Sequence, residues 1–120
     1  MSLQWARRFD VTYIPEQGDI VWLDFDPSAG TEMNKRRPAF VISRKQFNNH
    51  TKMAIVAPIT STIRGIRLEV VLPPEIKTSG SILVYQLKSI NFIQRKAKFV
   101  EHCPNHIIDQ VISIAKLLVA

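Results

Sequence analysis

The residues best suited to chemistry are Arg36 and Arg37, set before Pro38 at the join between a polar loop, Gly30 to Lys35, and the apolar run Ala39 to Ser43. A guanidinium group keeps its charge at any ordinary pH, and its planar fork matches the oxygens of a phosphate. Two readings stand side by side. In the first, the pair is a solvated basic loop with Arg37 matched to a nearby carboxylate. In the second, a fixed cation stabilises charge that develops on phosphoryl oxygens. Pro38 biases Arg37 towards extended backbone and so gives its side chain a defined direction. Glu32, in the same loop, either neutralises or orients Arg37 or acts as a carboxylate base.

A second candidate set is Thr60, Ser61 and Thr62, directly after the apolar run Met53 to Pro58. Their hydroxyls either satisfy backbone groups in a turn or hydrogen-bond a phosphate from a strand end. Tyr85 and Phe47 could stack nucleobases, although a lone aromatic in a small β-protein more often fills the core. No zinc, calcium or nucleotide-loop spacing occurs, and His50, His102, His106 and Cys103 are poorly arranged for a metal. Neither metal nor cofactor is expected.

The elements that must position these groups are short. Asp19 to Phe25 alternates as a strand, with Ile20 and Trp22 on one face and Val21, Leu23 and Phe25 on the other. Further strands are expected over Ala39 to Ser43, Met53 to Pro58, Arg67 to Leu72 and Ser81 to Tyr85, the last bending at Gln86 into Leu87 to Ile93. The Asn-rich stretch Gln46 to Lys52 reads as a turn or loop. From Pro104 onward, Ile107, Val111, Ile114 and Leu118 recur at helical spacing, and proline suits a first helical turn. This predicts a helix of about four turns whose apolar arc exceeds what one-sided packing needs. The fold expected is mainly β with α: a small antiparallel barrel or curled sheet with a C-terminal helix. Residues 1–13 read as a leader and 14–120 as one domain.

Sixteen Lys and Arg against ten Asp and Glu give a net charge of +6 and a pI near 9.8. That balance favours polyanionic partners through phosphate contacts and counterion release. The single Cys103 excludes an internal disulfide, and no apolar run approaches membrane-spanning length. A cytoplasmic location is therefore expected.

Taken in order, Gly18 to Pro27 (GDIVWLDFDP), Gly30-Thr31-Glu32, Arg37 to Ser43 (RPAFVIS), Phe47-Asn48-Asn49, Val56 to Thr60 (VAPIT), Gly80 to Gln86 and Lys88-Ser89-Ile90 resemble the MazF/PemK family of toxin endoribonucleases. The resemblance runs over about residues 14 to 118. It implies a Src-homology-3-like barrel of the CcdB/MazF kind that forms a homodimer. It further implies metal-independent cleavage of single-stranded RNA, restraint by a cognate antitoxin, and operator DNA binding through the toxin–antitoxin complex. Carried over by position, Arg37 and Thr60 would be catalytic and Glu32 the loop's acidic residue. Lys35, Arg36, Thr31, Ser61, Thr62, Tyr85 and Gln86 would contact substrate. The sequence departs from some relatives at Tyr85 and Leu83, where those relatives carry an aspartate and an arginine, and at Met33, where a glutamine is common. Two rival readings remain at this stage: a CcdB-like gyrase inhibitor and a non-catalytic RNA-binding barrel.

Overall fold

The computed structural model describes residues 13–25 and 36–119. Strand β1, Asp19–Asp24, has apolar side chains on both faces, so each face requires its own cover. Ile20 enters one core and Val21 and Leu23 enter a second, as the period-two alternation demands. Strand β2 spans Arg36–Val41 and β3 spans Met53–Thr60. Then follow β4 (Glu69–Val71), β5 (Ser81–Leu83), β6 (Lys88–Asn91) and β7 (Lys98–His102). They form a seven-stranded sheet in the order β4-β5-β3-β2-β1-β7, with β6 also on β3. Every pairing is antiparallel. The expected β-architecture with a C-terminal helix is present.

Strand β3 has different neighbours along one edge. Its first half pairs with β6 and its last two residues pair with β5. An unbroken ladder from the Val56–Lys88 pair would set Tyr85 against Ile59, yet Ile82 stands there, three residues earlier. The surplus is looped out as a 3-10 turn over Val84–Gln86. The bend anticipated at Gln86 is therefore real, and it takes this form.

Helix α2, Asn105–Val119, lays Ile107, Val111 and Ala115 on the first core, beside Ile20, Phe40, Ala57, Ile59 and Ile82. Its amides at Ile107 and Ile108 bond the Pro104 carbonyl, so the proline stands at the entrance where a missing N–H is harmless. Val111 is fully buried, and truncation of such a side chain costs about 2–4 kcal/mol. Gly18 has a positive φ of 98°, and a Cβ there would run into the Ile108 side chain.

Three expectations need correction. The Asn-rich stretch is a helix, α1 (Lys45–Thr51), closed by Lys52 in the left-handed region at φ 60°. Tertiary bonds override its weak propensity: buried Asn48 donates to the carbonyls of Pro15 (2.8 Å) and Ser43 and accepts from the Ser43 hydroxyl. Strand β7 was not anticipated, because most of its side chains are exposed or half-exposed and give no apolar alternation. Strand β2 begins at Arg36 and not at Ala39, so Arg36 and Arg37 are its first two residues, opposite Asp24 and Leu23. The leader assigned to residues 1–13 falls, except for Tyr13, outside the described residues.

Candidate active site on adjoining strand ends

Adjacent residues of β2 face opposite sides of the sheet, and this separates the two arginines completely. Arg36 donates from Nη1 to Asp24 Oδ1 at 2.9 Å, and from Nη2 to the carbonyls of Trp22 (3.0 Å) and Lys96 (2.9 Å). Its fork is occupied by the fold. Arg37 is exposed, and among the described residues it has no ion-pair or hydrogen-bond partner. It stands on the face of Leu23 and Ala39, fixed by main-chain pairing on a strand.

Thr60 reaches the same place from β3. The β2–β3 pairing ends at Ala39 and Pro58, and its register carried two residues further would set Arg37 against Thr60. Thr60 in turn pairs with Ser81 of β5. Leu23 pairs with Arg37 and Thr60 with Ser81, and that extended register would align the two pairs as a transverse row on one face. The Thr60 hydroxyl accepts from the Thr62 amide at 3.2 Å, so it already serves a local turn while half-exposed. Ser61 and Thr62 are exposed beside it. Gly80, at φ 121°, abuts the Thr60 carbonyl so closely that a Cβ would collide with it. Among the described residues the buried Ser81 hydroxyl has no hydrogen-bond partner, an arrangement that costs free energy and is rare in a folded core.

Tyr85 and Gln86 occupy the looped-out 3-10 turn, exposed, with Gln86 Nε2 donating to the Tyr85 hydroxyl at 3.3 Å. One group escaped sequence reasoning as a site residue. The Lys88 ammonium lies 4.6 Å from the centroid of the Phe25 ring, which follows the Asp24–Arg36 pair. A cation over an aromatic face is favoured by the ring quadrupole. No local signal links residues so far apart; only the ladder that places Lys88 beside Val56 does. Thr31, Glu32 and Lys35 lie outside the described residues.

The adjoining strand ends offer a permanent cation and a hydroxyl on paired strands. That suits an anion whose charge grows during a reaction, because preorganised donors need no rearrangement as the charge develops.

Comparison with known proteins follows the same outline. The family described as PemK-like, MazF-like toxin of type II toxin–antitoxin system matches residues 16–119. The chain is 41% identical over 85 residues to the endoribonuclease toxin MazF of Escherichia coli K12, covering 71% of this chain and 76% of that protein. It is 31% identical over 101 residues to the endoribonuclease PemK of Escherichia coli, covering 81% and 76%. The crystal structure of MazF from Deinococcus radiodurans superposes with a TM-score of 0.80 at 34% identity, covering 89% of this chain and 97% of that one. A MazE–MazF crystal structure from the same organism gives 0.81 at 34% identity, covering 89% and 96%.

Proposed function

This chain belongs to the PemK/MazF family of type II toxin–antitoxin toxins, and we propose that its Arg37–Thr60 row is the centre of its endoribonuclease activity. The observation that carries the proposal is the exposed Arg37 guanidinium, without an ion-pair or hydrogen-bond partner among the described residues, on a strand paired with the strand of Thr60. The substrate is single-stranded RNA, the message strand whose loss stops translation. The ribose 2′-hydroxyl attacks the adjacent phosphorus, the bond from phosphorus to the 5′-oxygen breaks, and the products are a 2′,3′-cyclic phosphate and a 5′-hydroxyl. The proton leaving the 2′-hydroxyl goes to a base, assigned to Glu32, and the departing 5′-oxygen takes up a proton from water. No metal is required, because the nucleophile belongs to the substrate and Arg37 meets the phosphoryl charge. Thr60 hydrogen-bonds the same phosphate, with Lys35, Ser61, Thr62, Tyr85 and Gln86 along the strand's path.

The MazE–MazF relative supports an antitoxin partner, and a net charge of +6 favours an acidic one. Operator DNA would be bound through that complex. Among the described residues no helix is long and apolar enough to cross a membrane, and we place the protein in the cytoplasm. Leu117 and Val119, 78% and 75% exposed at the end of α2, support a homodimer. A monomeric mass in light scattering at micromolar concentration would refute it.

The central test is incubation with long single-stranded RNA in excess EDTA, followed by mapping of the new 5′ ends. Reproducible cuts carrying a 5′-hydroxyl are expected. Uncut RNA that nonetheless binds would instead support the non-catalytic barrel, and 5′-phosphate ends would overturn the chemistry.

A further inference from the structure

A second cleft lies at the opposite end of β1 from Arg37. It encloses about 440 Å³ and is lined by Tyr13, Glu16, Asp19, Lys45, Phe99 and His102. Asp19, only 4% exposed, organises it. One carboxylate oxygen sits 2.8 Å from His102 Nδ1, and the other accepts from the Tyr13 hydroxyl at 2.8 Å and the Glu16 amide at 3.0 Å. With Nδ1–H directed to the carboxylate, the neutral imidazole keeps Nε2 as an acceptor. The Tyr13 and Phe99 rings meet edge to face, 6.0 Å between centroids and 64° between planes. Phe99 remains 47% exposed.

Its position relates it to the site described above. Phe99 pairs with Val21, and Leu23, two residues along β1, pairs with Arg37, so Phe99 and Arg37 occupy the same side of the sheet. They are two strands and two residues apart, about 12 Å at ordinary strand spacings. A strand of a few nucleotides held at Arg37 reaches that far.

We propose that this cleft is a nucleobase subsite for the RNA, on one flank of the cleaved bond. The inference rests on the endoribonuclease reading. The base stacks on Phe99, a contact open to every base. His102 Nε2 and the Glu16 carboxylate accept hydrogen bonds from amino or imino groups of the base, and Lys45 meets the flanking phosphate. The buried Asp19 supplies rigidity, since Tyr13 and His102 are held before substrate arrives.

The test compares two substrates: a long single strand, and a minimal one carrying a single nucleotide on each side of the cut. Phe99→Ala, on an edge strand and half-exposed, is expected to lower kcat/KM on the long strand about tenfold, the scale of one lost base–aromatic stack. It should leave the minimal substrate unaffected. An abasic nucleotide scanned through the long strand should slow the wild type about tenfold at one flanking position and slow Phe99→Ala no further there. Lys45→Ala should likewise weaken only the long strand. Equal rates of wild type and Phe99→Ala on the long strand, or an equal loss on both substrates, would overturn the subsite. If the wild type cuts neither substrate, the endoribonuclease reading falls, and the subsite is decided by fluorescence anisotropy of the same long strand. There Phe99→Ala must lose about tenfold in affinity, or the inference fails as well.

Discussion

Strand β1 begins and ends with an aspartate, and the two are used differently. Asp19 is buried and joined to a histidine, a tyrosine and a backbone amide. Asp24 is a third exposed and joined to Arg36 alone among described side chains. Removal of a buried, fully bonded carboxylate leaves several donors stranded, whereas an ion pair near the surface is screened and worth little by itself. Asp19 therefore holds structure together, and Asp24 sorts two neighbouring arginines. By engaging Arg36 it fixes the strand end on which Arg37 stands without a side-chain partner among the described residues. Two residues of one type, adjacent in sequence, acquire unlike duties from the pleat and one carboxylate.

Four measurements would break or sharpen that contrast, and the largest effect should come from Arg37. Arg37→Ala is expected to lose at least a hundredfold in RNA cleavage, as removal of a fixed charge-stabilising donor does elsewhere, with the melting temperature unmoved. Wild-type cutting by that variant would remove Arg37 from the site. Asp19→Asn should act on stability, by about 3 kcal/mol in denaturant unfolding, because one carboxylate oxygen becomes an amide nitrogen and strands the donors it served, while the charge beside His102 is lost. A change below about 0.5 kcal/mol, the scale of an ordinary surface substitution, would mean that Asp19 organises nothing. Arg36→Ala should fall between, costing about 1 kcal/mol and less cleavage than Arg37→Ala. If both arginine variants lost cleavage equally, the division of labour drawn from Asp24 would collapse.

The last effect, silent at neutral pH, is a pH dependence near Asp19. Burial pushes the Cys103 thiol up to about 12, with the charges of Glu101 and Asp19 adding to it. Between its ordinary value near 9 and about 12, the folded chain keeps a proton that the unfolded chain releases. Stability should thus be full below pH 9 and decline towards pH 12. Cys103→Ala should flatten that decline, and an unchanged alkaline slope would exclude the thiol as its source. Glu101 works on the acid side. Burial raises its pKa, but hydrogen bonds from the Thr78 hydroxyl and the Lys77 and Thr78 amides, with the Lys77 charge, outweigh this and leave it lowered. Its contribution is present above pH 4.5 and lost as the pH falls.

Much of this was legible in the sequence, wherever residue pattern and local geometry agree. Alternation in β1, the apolar run of β3 and the helical spacing after Pro104 each specify an element because burial requires it. Arg37 and Thr60 were legible as chemical types, yet their shared row depends on a register between strands that no short stretch encodes. Helix α1 was hidden because its support comes from Pro15 and Ser43, outside the helix itself. Strand β7 was hidden because an exposed edge strand needs no apolar face. The engagement of Arg36 was invisible for a similar reason: it takes Asp24, Trp22 and Lys96 together to define it.

The three residues looped out between β5 and β6 have one more consequence. Tyr85 and Gln86 stand outside both ladders that flank them, so replacing either disturbs no cross-strand pair of the sheet. Side chains at such a position can be exchanged while the cross-strand pairs of the sheet stay intact. The register slip works as a mutable display site built into an otherwise rigid frame.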